Sequence, residues 1–190
     1  MSDRLHALTM PEAEKPLSDK QRAYLGIAEE KIGFVPNVLA AYAWHADKFD
    51  GFTRTYNELM LGNSPLTKLQ REMIAVVVSS ANRCHYCLTA HGAAVRELSG
   101  DPKLGEQLVQ NYRSAQLEPR DRAMLDFAWK LTVEPDVVDE PNREALRQAG
   151  FDDRTIWDVA AVAAFFNMTN RMSTATDLRP NDEYHGQARS

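Results

Sequence analysis

The stretch Glu72–His91, E-M-I-A-V-V-V-S-S-A-N-R-C-H-Y-C-L-T-A-H, decides how the rest of the chain reads. Val76, Val77 and Val78 form its one β-like patch, yet helical spacing flanks them on both sides, so the segment reads as helix. Asn82-Arg83 interrupts that helix, and Cys84 opens a second one that carries Leu88, Val95 and Leu98 to Gly100. If the two pack antiparallel through this short turn, Glu72 on the first approaches His91 on the second.

Helical signals continue outward on both sides. Ser18 or Asp19 caps a helix to about Ile32, which Gly33 stops. Pro36 suits a first helical turn, and Val35, Val38, Leu39, Tyr42, Ala46, Phe49, Phe52, Tyr56, Leu59 and Met60 then predict one long helix ending at Gly62. After Gly62-Asn63-Ser64-Pro65, a helix is expected over about 67–81. Asp101-Pro102 opens a helix to near Tyr112, and Glu118-Pro119 opens one that Pro135 stops. Pro141 begins a short helix that Gly150 ends, and Asp152 or Asp153 caps the last long one, about 154–175. The pattern predicts an all-α single domain of about eight helices over 18–178. An N-terminal arm, 1–17, precedes it, and a tail, 179–190, frays or docks on a neighbour.

Composition narrows the function classes. The chain has 190 residues, enough for a real core without disulfides or structural metal. Its 22 Lys and Arg against 27 Asp and Glu leave a net charge of −5, so no basic excess exists to displace counterions from nucleic acid or to hold an anionic membrane. The longest purely apolar run, Val159–Phe166, has eight residues, against about 20 for a membrane span. The N-terminal residues lack the apolar core and cleavage site of a secretory signal, so a cytoplasmic location is expected. No phosphate loop, dinucleotide fingerprint or haem-attachment motif occurs, so no bound organic cofactor is expected.

The only two cysteines, Cys84 and Cys87, stand three apart, on the same side of a helix. A disulfide between them closes too small a loop to matter for stability; if the pair matters, it does so as chemistry. Cys84 falls at a helix start, where open N–H groups and the helix dipole favour negative charge. Only the thiolate is nucleophilic, so a lowered pKa there suits redox work. His91, one turn beyond Cys87, can exchange protons near neutral pH, and Glu72 behind it would orient the imidazole. A zinc site would need His85 and His91 from the same helix as the cysteines, which closes a tetrahedron poorly. Two inert core cysteines are the other bland reading.

Glu72, eleven residues, Cys84-x-x-Cys87, three residues and His91 together resemble the AhpD-like alkylhydroperoxidase family of the carboxymuconolactone decarboxylase superfamily. G-F-V-P-N-V-L at 33–39, S-S-A-N-R-C-H-Y-C at 79–87, A-G-F-D-D at 149–153 and F-F-N-M-T-N-R at 165–171 extend the resemblance to its peroxidase-related subgroup, over about residues 20–175. The resemblance implies an all-α thiol peroxidase that reduces alkyl hydroperoxides or hydrogen peroxide. Cys87 is then attacked by the peroxide, Cys84 resolves the sulfenic acid, and His91 and Glu72 relay protons. An external dithiol reductant protein of lipoyl or thioredoxin type restores the thiols, and the chain assembles as a homo-oligomer, a trimer or hexamer. Tyr86 stands where the best-known members carry His; it offers a hydroxyl but no base, and His85 is rotated about 100° away. Tyr86, Asn167 and Arg171 are candidate substrate contacts. Alternatives are a disulfide reductase or redox sensor using the same pair, and, further off, a lactone decarboxylase, which leaves the cysteines without a task.

Overall fold

The computed structural model describes residues 4–11, 13 and 15–189. Ten α-helices occur among them: α1 Asp19–Ile32, α2 Asn37–Tyr42, α3 Ala46–Tyr56, α4 Lys68–Asn82, α5 His85–Ser99, α6 Pro102–Asn111, α7 Pro119–Val133, α8 Glu140–Gln148, α9 Asp153–Thr176 and α10 Glu183–Gly186. Among the described residues there is no β-strand, only an isolated bridge between Lys15 and His45. Seven of the ten match helices expected from the sequence, α2 and α3 together replace the expected eighth, and α10 lies in the tail beyond them. None is long and apolar enough to cross a membrane.

α4 runs through the middle, packed against α5, α6, α7 and α9. Ile74, Ala75, Val76, Val77 and Val78 have no accessible surface at all, which explains their unbroken apolar run: a helix surrounded on every side has no polar face to show. The caps fall where the sequence puts them. Ser18 and Thr67 build reciprocal capping boxes with Gln21 and Gln70 at the starts of α1 and α4. Asp101 and Asp152 cap α6 and α9. Gly33 ends α1 at φ 91°, a left-handed geometry that costs glycine nothing.

The long helix expected over 36–62 is broken. α2 stops at Tyr42, and His45 adopts an extended φ of −147° before α3 begins. The apolar period passes through the break unchanged because both pieces face the same core: Tyr42 stacks on Phe52 with ring centroids 4.4 Å apart. What opens the backbone is the N-terminal arm, since the Ala46 N–H donates to the Lys15 carbonyl at 2.9 Å. The Gln21 side chain takes the Ala46 carbonyl at 3.0 Å. α3 then loosens into a π-turn over Asn57–Leu61. α8 starts at Glu140 from an Asp139 cap, one residue ahead of Pro141.

Arm and tail both dock. Two backbone bonds, Ala7 N–H to Thr176 O (2.8 Å) and Arg179 N–H to Leu5 O (3.1 Å), clip the arm to the end of α9. In the tail, the buried Arg96 guanidinium donates at 3.0 Å to the carbonyls of Tyr184 and Gln187. α6 crosses α5 closely here, and a Cβ on Gly105 would lie 2.6 Å from the Arg96 side chain.

Because Leu125 on α7 is completely buried in this core, Leu125→Ala is expected to lower stability by about 2–5 kcal/mol. Urea unfolding should show a lower midpoint at unchanged slope.

Candidate functional site

The site is built on the chain reversal between α4 and α5. Arg83 closes α4 in the left-handed conformation, φ 55°. Its N–H donates to Ser80 O at 3.1 Å, and the Cys84 N–H donates to Ser79 O at 3.0 Å. The chain therefore turns back within two residues, leaving Cys84 in extended geometry just ahead of α5. The expected approach of Glu72 and His91 follows: His91 Nδ1 lies 2.6 Å from Glu72 Oε2. Both side chains are nearly buried, 13% and 12% exposed, and the edge of the His91 ring meets Phe166 at 4.7 Å between centroids. A carboxylate can only accept here, so Nδ1 carries the proton and Nε2 is left free to accept another.

Cys84 and Cys87 are both buried and free. They interact sulfur to sulfur, with opposite effects on the two thiols. The Cys87 thiol donates toward Cys84 and lowers the Cys84 pKa to about 6 against the cost of burial, helped by the Cys87 backbone N–H, the Thr174 hydroxyl and His91. Cys87 is pushed up by the same contact and by burial, while Asn170 and Ser173 pull weakly the other way. The contact thus favours a thiolate at Cys84 and disfavours one at Cys87, whereas attack by Cys87 needs the opposite placement.

A cavity of about 430 Å³ opens beside Cys84, walled by Arg83, His85, Thr174, Arg179 and His185 among others. His85 is exposed on this wall, 6.2 Å between ring centroids from His185 of the tail. Tyr86 also lines it, but its hydroxyl is engaged: it accepts the Val38 N–H at 3.0 Å and meets the Tyr184 hydroxyl. Its first task is to hold the start of α5 against α2 and α10.

Of the two α9 residues named from sequence, neither reaches the sulfurs. Asn167 accepts from Asn82 Nδ2 at 3.0 Å and donates to Thr132 at 3.1 Å. Arg171 is exposed and bonds back to Asn167 on its own helix. The α9 contacts to the cysteines come instead from Asn170, Ser173 and Thr174. Asn170 is 1% exposed, takes a hydrogen bond from Asn82 and gives one to Ser79. The available signal was a polar series, Asn167, Asn170 and Ser173, at three-residue steps directly after the apolar run Val159–Phe166.

Residues 46–128, covering α3 through most of α7, match the carboxymuconolactone decarboxylase family. An uncharacterised peroxidase-related protein from Silicibacter sp. TM1040 has a solved structure that superposes with a TM-score of 0.94 at 58% identity, over 98% of this chain and 97% of that one. A second, described as an alkylhydroperoxidase AhpD core and peroxidase-related protein from Ralstonia eutropha JMP134, gives 0.93 at 41% identity over 100% and 99%. Among curated proteins, the uncharacterised YnjA of Escherichia coli K12 is 27% identical over 118 residues, 60% of this chain; the match spans 63% of YnjA. The chain belongs to the AhpD-like proteins of the carboxymuconolactone decarboxylase superfamily.

In the reduced protein, alkylation of Cys84 by iodoacetamide is expected to plateau above its pKa and to fall tenfold per pH unit below about 6. An ordinary thiol inflects near 8.5. Cys87→Ala removes the donor that stabilises the thiolate and should move the inflection upward, read by mass spectrometry of alkylated peptide against pH.

Proposed function

We propose that the chain is a thiol peroxidase, in which the Cys84–Cys87 pair reduces a hydroperoxide while the Glu72–His91 couple manages protons. The observation that carries this reading is geometric: two buried free cysteines at the start of α5, a cavity opening at Cys84, and the 2.6 Å Glu72–His91 hydrogen bond one turn further along the same helix. Transfer of the Cys87 thiol proton to Cys84 makes Cys87 the nucleophile and Cys84 the acid. The Cys87 sulfur takes the distal oxygen of the hydroperoxide as the O–O bond breaks, and the leaving oxygen takes the proton from Cys84 and departs as the alcohol. Cys87 is now a sulfenic acid and Cys84 a thiolate. Attack of Cys84 on the sulfenic sulfur forms the disulfide and releases hydroxide, which leaves as water with a proton that His91 takes up at Nε2 from solvent and hands on. The Glu72 carboxylate stabilises the imidazolium that His91 passes through.

An external dithiol of lipoyl or thioredoxin type then reduces the disulfide by exchange, entering through the cavity at Cys84. The related proteins called peroxidase-related or AhpD core support this reading. A homo-oligomer, trimer or hexamer, is part of the same proposal.

The test is consumption of tert-butyl hydroperoxide with a dihydrolipoyl reductant. Turnover should fall at least 100-fold in both Cys87→Ser and Cys84→Ser, with dimedone trapping a sulfenic acid on Cys87 in the Cys84 variant. A sulfenic acid on Cys84 in the Cys87 variant alone reverses the order of the two sulfurs. His91→Ala should cost about 10²–10⁴-fold, the range of general acid–base assistance. No turnover in the wild type, with a reducible Cys84–Cys87 disulfide, replaces peroxidase by disulfide exchange or redox sensing.

A further inference from the structure

The polar series at the end of α9 belongs to a hydrogen-bonded chain whose direction is fixed at Asn167. Asn167 Nδ2 donates to the Ala163 carbonyl at 3.0 Å, and a carbonyl can only accept. Asn167 Oδ1 lies 2.8 Å from the Arg171 guanidinium, which can only donate. These two contacts leave the Asn167 amide one orientation. Asn82 therefore turns its own Nδ2 to Asn167 Oδ1 at 3.0 Å, and the same nitrogen reaches Asn170 Oδ1 at 2.9 Å. Asn170 is left to present its nitrogen toward α4 and α5. Arg171 and Asn167 do not reach the sulfurs, yet they decide which way this amide points.

Asn170 is 1% exposed, so each of its polar atoms needs a partner. Oδ1 is met by Asn82. Nδ2 carries two hydrogens: one goes to Ser79 Oγ at 2.9 Å, and the other has no oxygen acceptor among the described residues. What α9 presents to Cys87 is this amide and Ser173, and both favour the Cys87 anion. A neutral thiol is a weak acceptor. A bond to a charged acceptor is about twice as strong as one between neutral groups, so the remaining N–H is best satisfied by a thiolate. The titratable groups around Cys87 are Cys84 and Tyr86 at the start of α5, His91 one turn on, and Glu72 behind His91 on α4. Cys84 and burial disfavour a Cys87 thiolate, so the amide works against both.

We propose that Asn170 fits Cys87 to be the attacking sulfur: its second amide N–H donates to the Cys87 thiolate as the thiol proton passes to Cys84. Asn82 and Asn167 are positioning residues that fix which end of the amide faces the sulfur. The role of Cys87 in attack rests on the peroxidase reading; the hydrogen bond to its thiolate does not. A donor already in place costs no reorganisation when the charge arrives, which gives a buried asparagine in a packed helix its use.

Cys87 ionisation is read directly by carbon NMR of Cβ-labelled cysteine against pH in Cys84→Ala, where Cys87 is the only thiol. Asn170→Ala, Asn170→Asp and Ser79→Ala are each added to that background, and circular dichroism checks their folding. Loss of a donor to the anion raises the pH of ionisation. Asn170→Ala should raise it by at least about one unit, a tenfold loss of thiolate below the inflection. Asn170→Asp keeps the shape and still accepts from Asn82, but turns a charge on the sulfur and should raise it further. Ser79→Ala breaks the neighbouring bond of the same amide and should leave the inflection in place. An unchanged inflection in either Asn170 variant, or an equal rise in Ser79→Ala, overturns the proposal. If one Asn170 variant does not fold, the other decides. With both cysteines present, the pH dependence of kcat/KM for tert-butyl hydroperoxide should move upward in the same Asn170 variants. A rise at Cys87 with no hydroperoxide consumed by the wild type supports the hydrogen bond and overturns the peroxidase reading alone.

Discussion

Everything at the centre of this protein depends on the reversal of the chain at Arg83. A left-handed residue there lets the last carbonyls of α4 accept the N–H groups of Arg83 and Cys84, so α5 starts without a loop. Three consequences follow from that one backbone state. The two cysteines start a helix whose first N–H groups are unpaired. α5 runs back along α4, which brings Glu72 and His91 together across 19 residues of sequence. Asn82, at the end of α4, is pointed at α9, where it fixes Asn167 and Asn170. An arginine in this conformation is strained relative to glycine, and the buried α4 beneath it holds the strain in place.

The cysteine pair is as buried as core residues, yet polar groups surround it. Burial raises the cost of a thiolate, and the site offsets that cost with donors from three directions: the Cys87 thiol, the Cys87 backbone N–H and the Thr174 hydroxyl. The same low-polarity surroundings strengthen the Glu72–His91 hydrogen bond, which water reaches little. Arm and tail complete the enclosure. Tyr184 of the tail packs edge-on against Phe34 at 4.9 Å between centroids, and its hydroxyl meets Tyr86. Its own pKa is raised to about 12, by burial first. The tail thus walls the cavity that opens at Cys84.

Much of this was legible in the sequence. Helix positions followed from capping residues, glycines and prolines, which act over three or four residues and need no partner elsewhere. The pairing of Glu72 with His91 was legible because the intervening turn is too short to allow anything but an antiparallel return. Periodicity failed at residues 43–45, since an apolar repeat records which side faces the core and says nothing about whether the backbone is continuous. On α9, Asn167, Asn170, Arg171 and Ser173 are all polar in sequence, and only the packing of α9 shows that Asn170 is buried against Ser79 and Asn82 while Arg171 is exposed.

From the residues alone, the all-α class, the order of helices and the presence of a paired-thiol site with a carboxylate–imidazole couple were determined, because each rests on short-range spacing. The tertiary structure decided where the two chain ends dock, which face of α9 meets the cysteines, and that the tail walls the cavity opening at Cys84. Those outcomes depend on contacts between segments as far apart as Leu5 and Arg179, and on the loss of water around the thiols. No local pattern in the chain encodes either one.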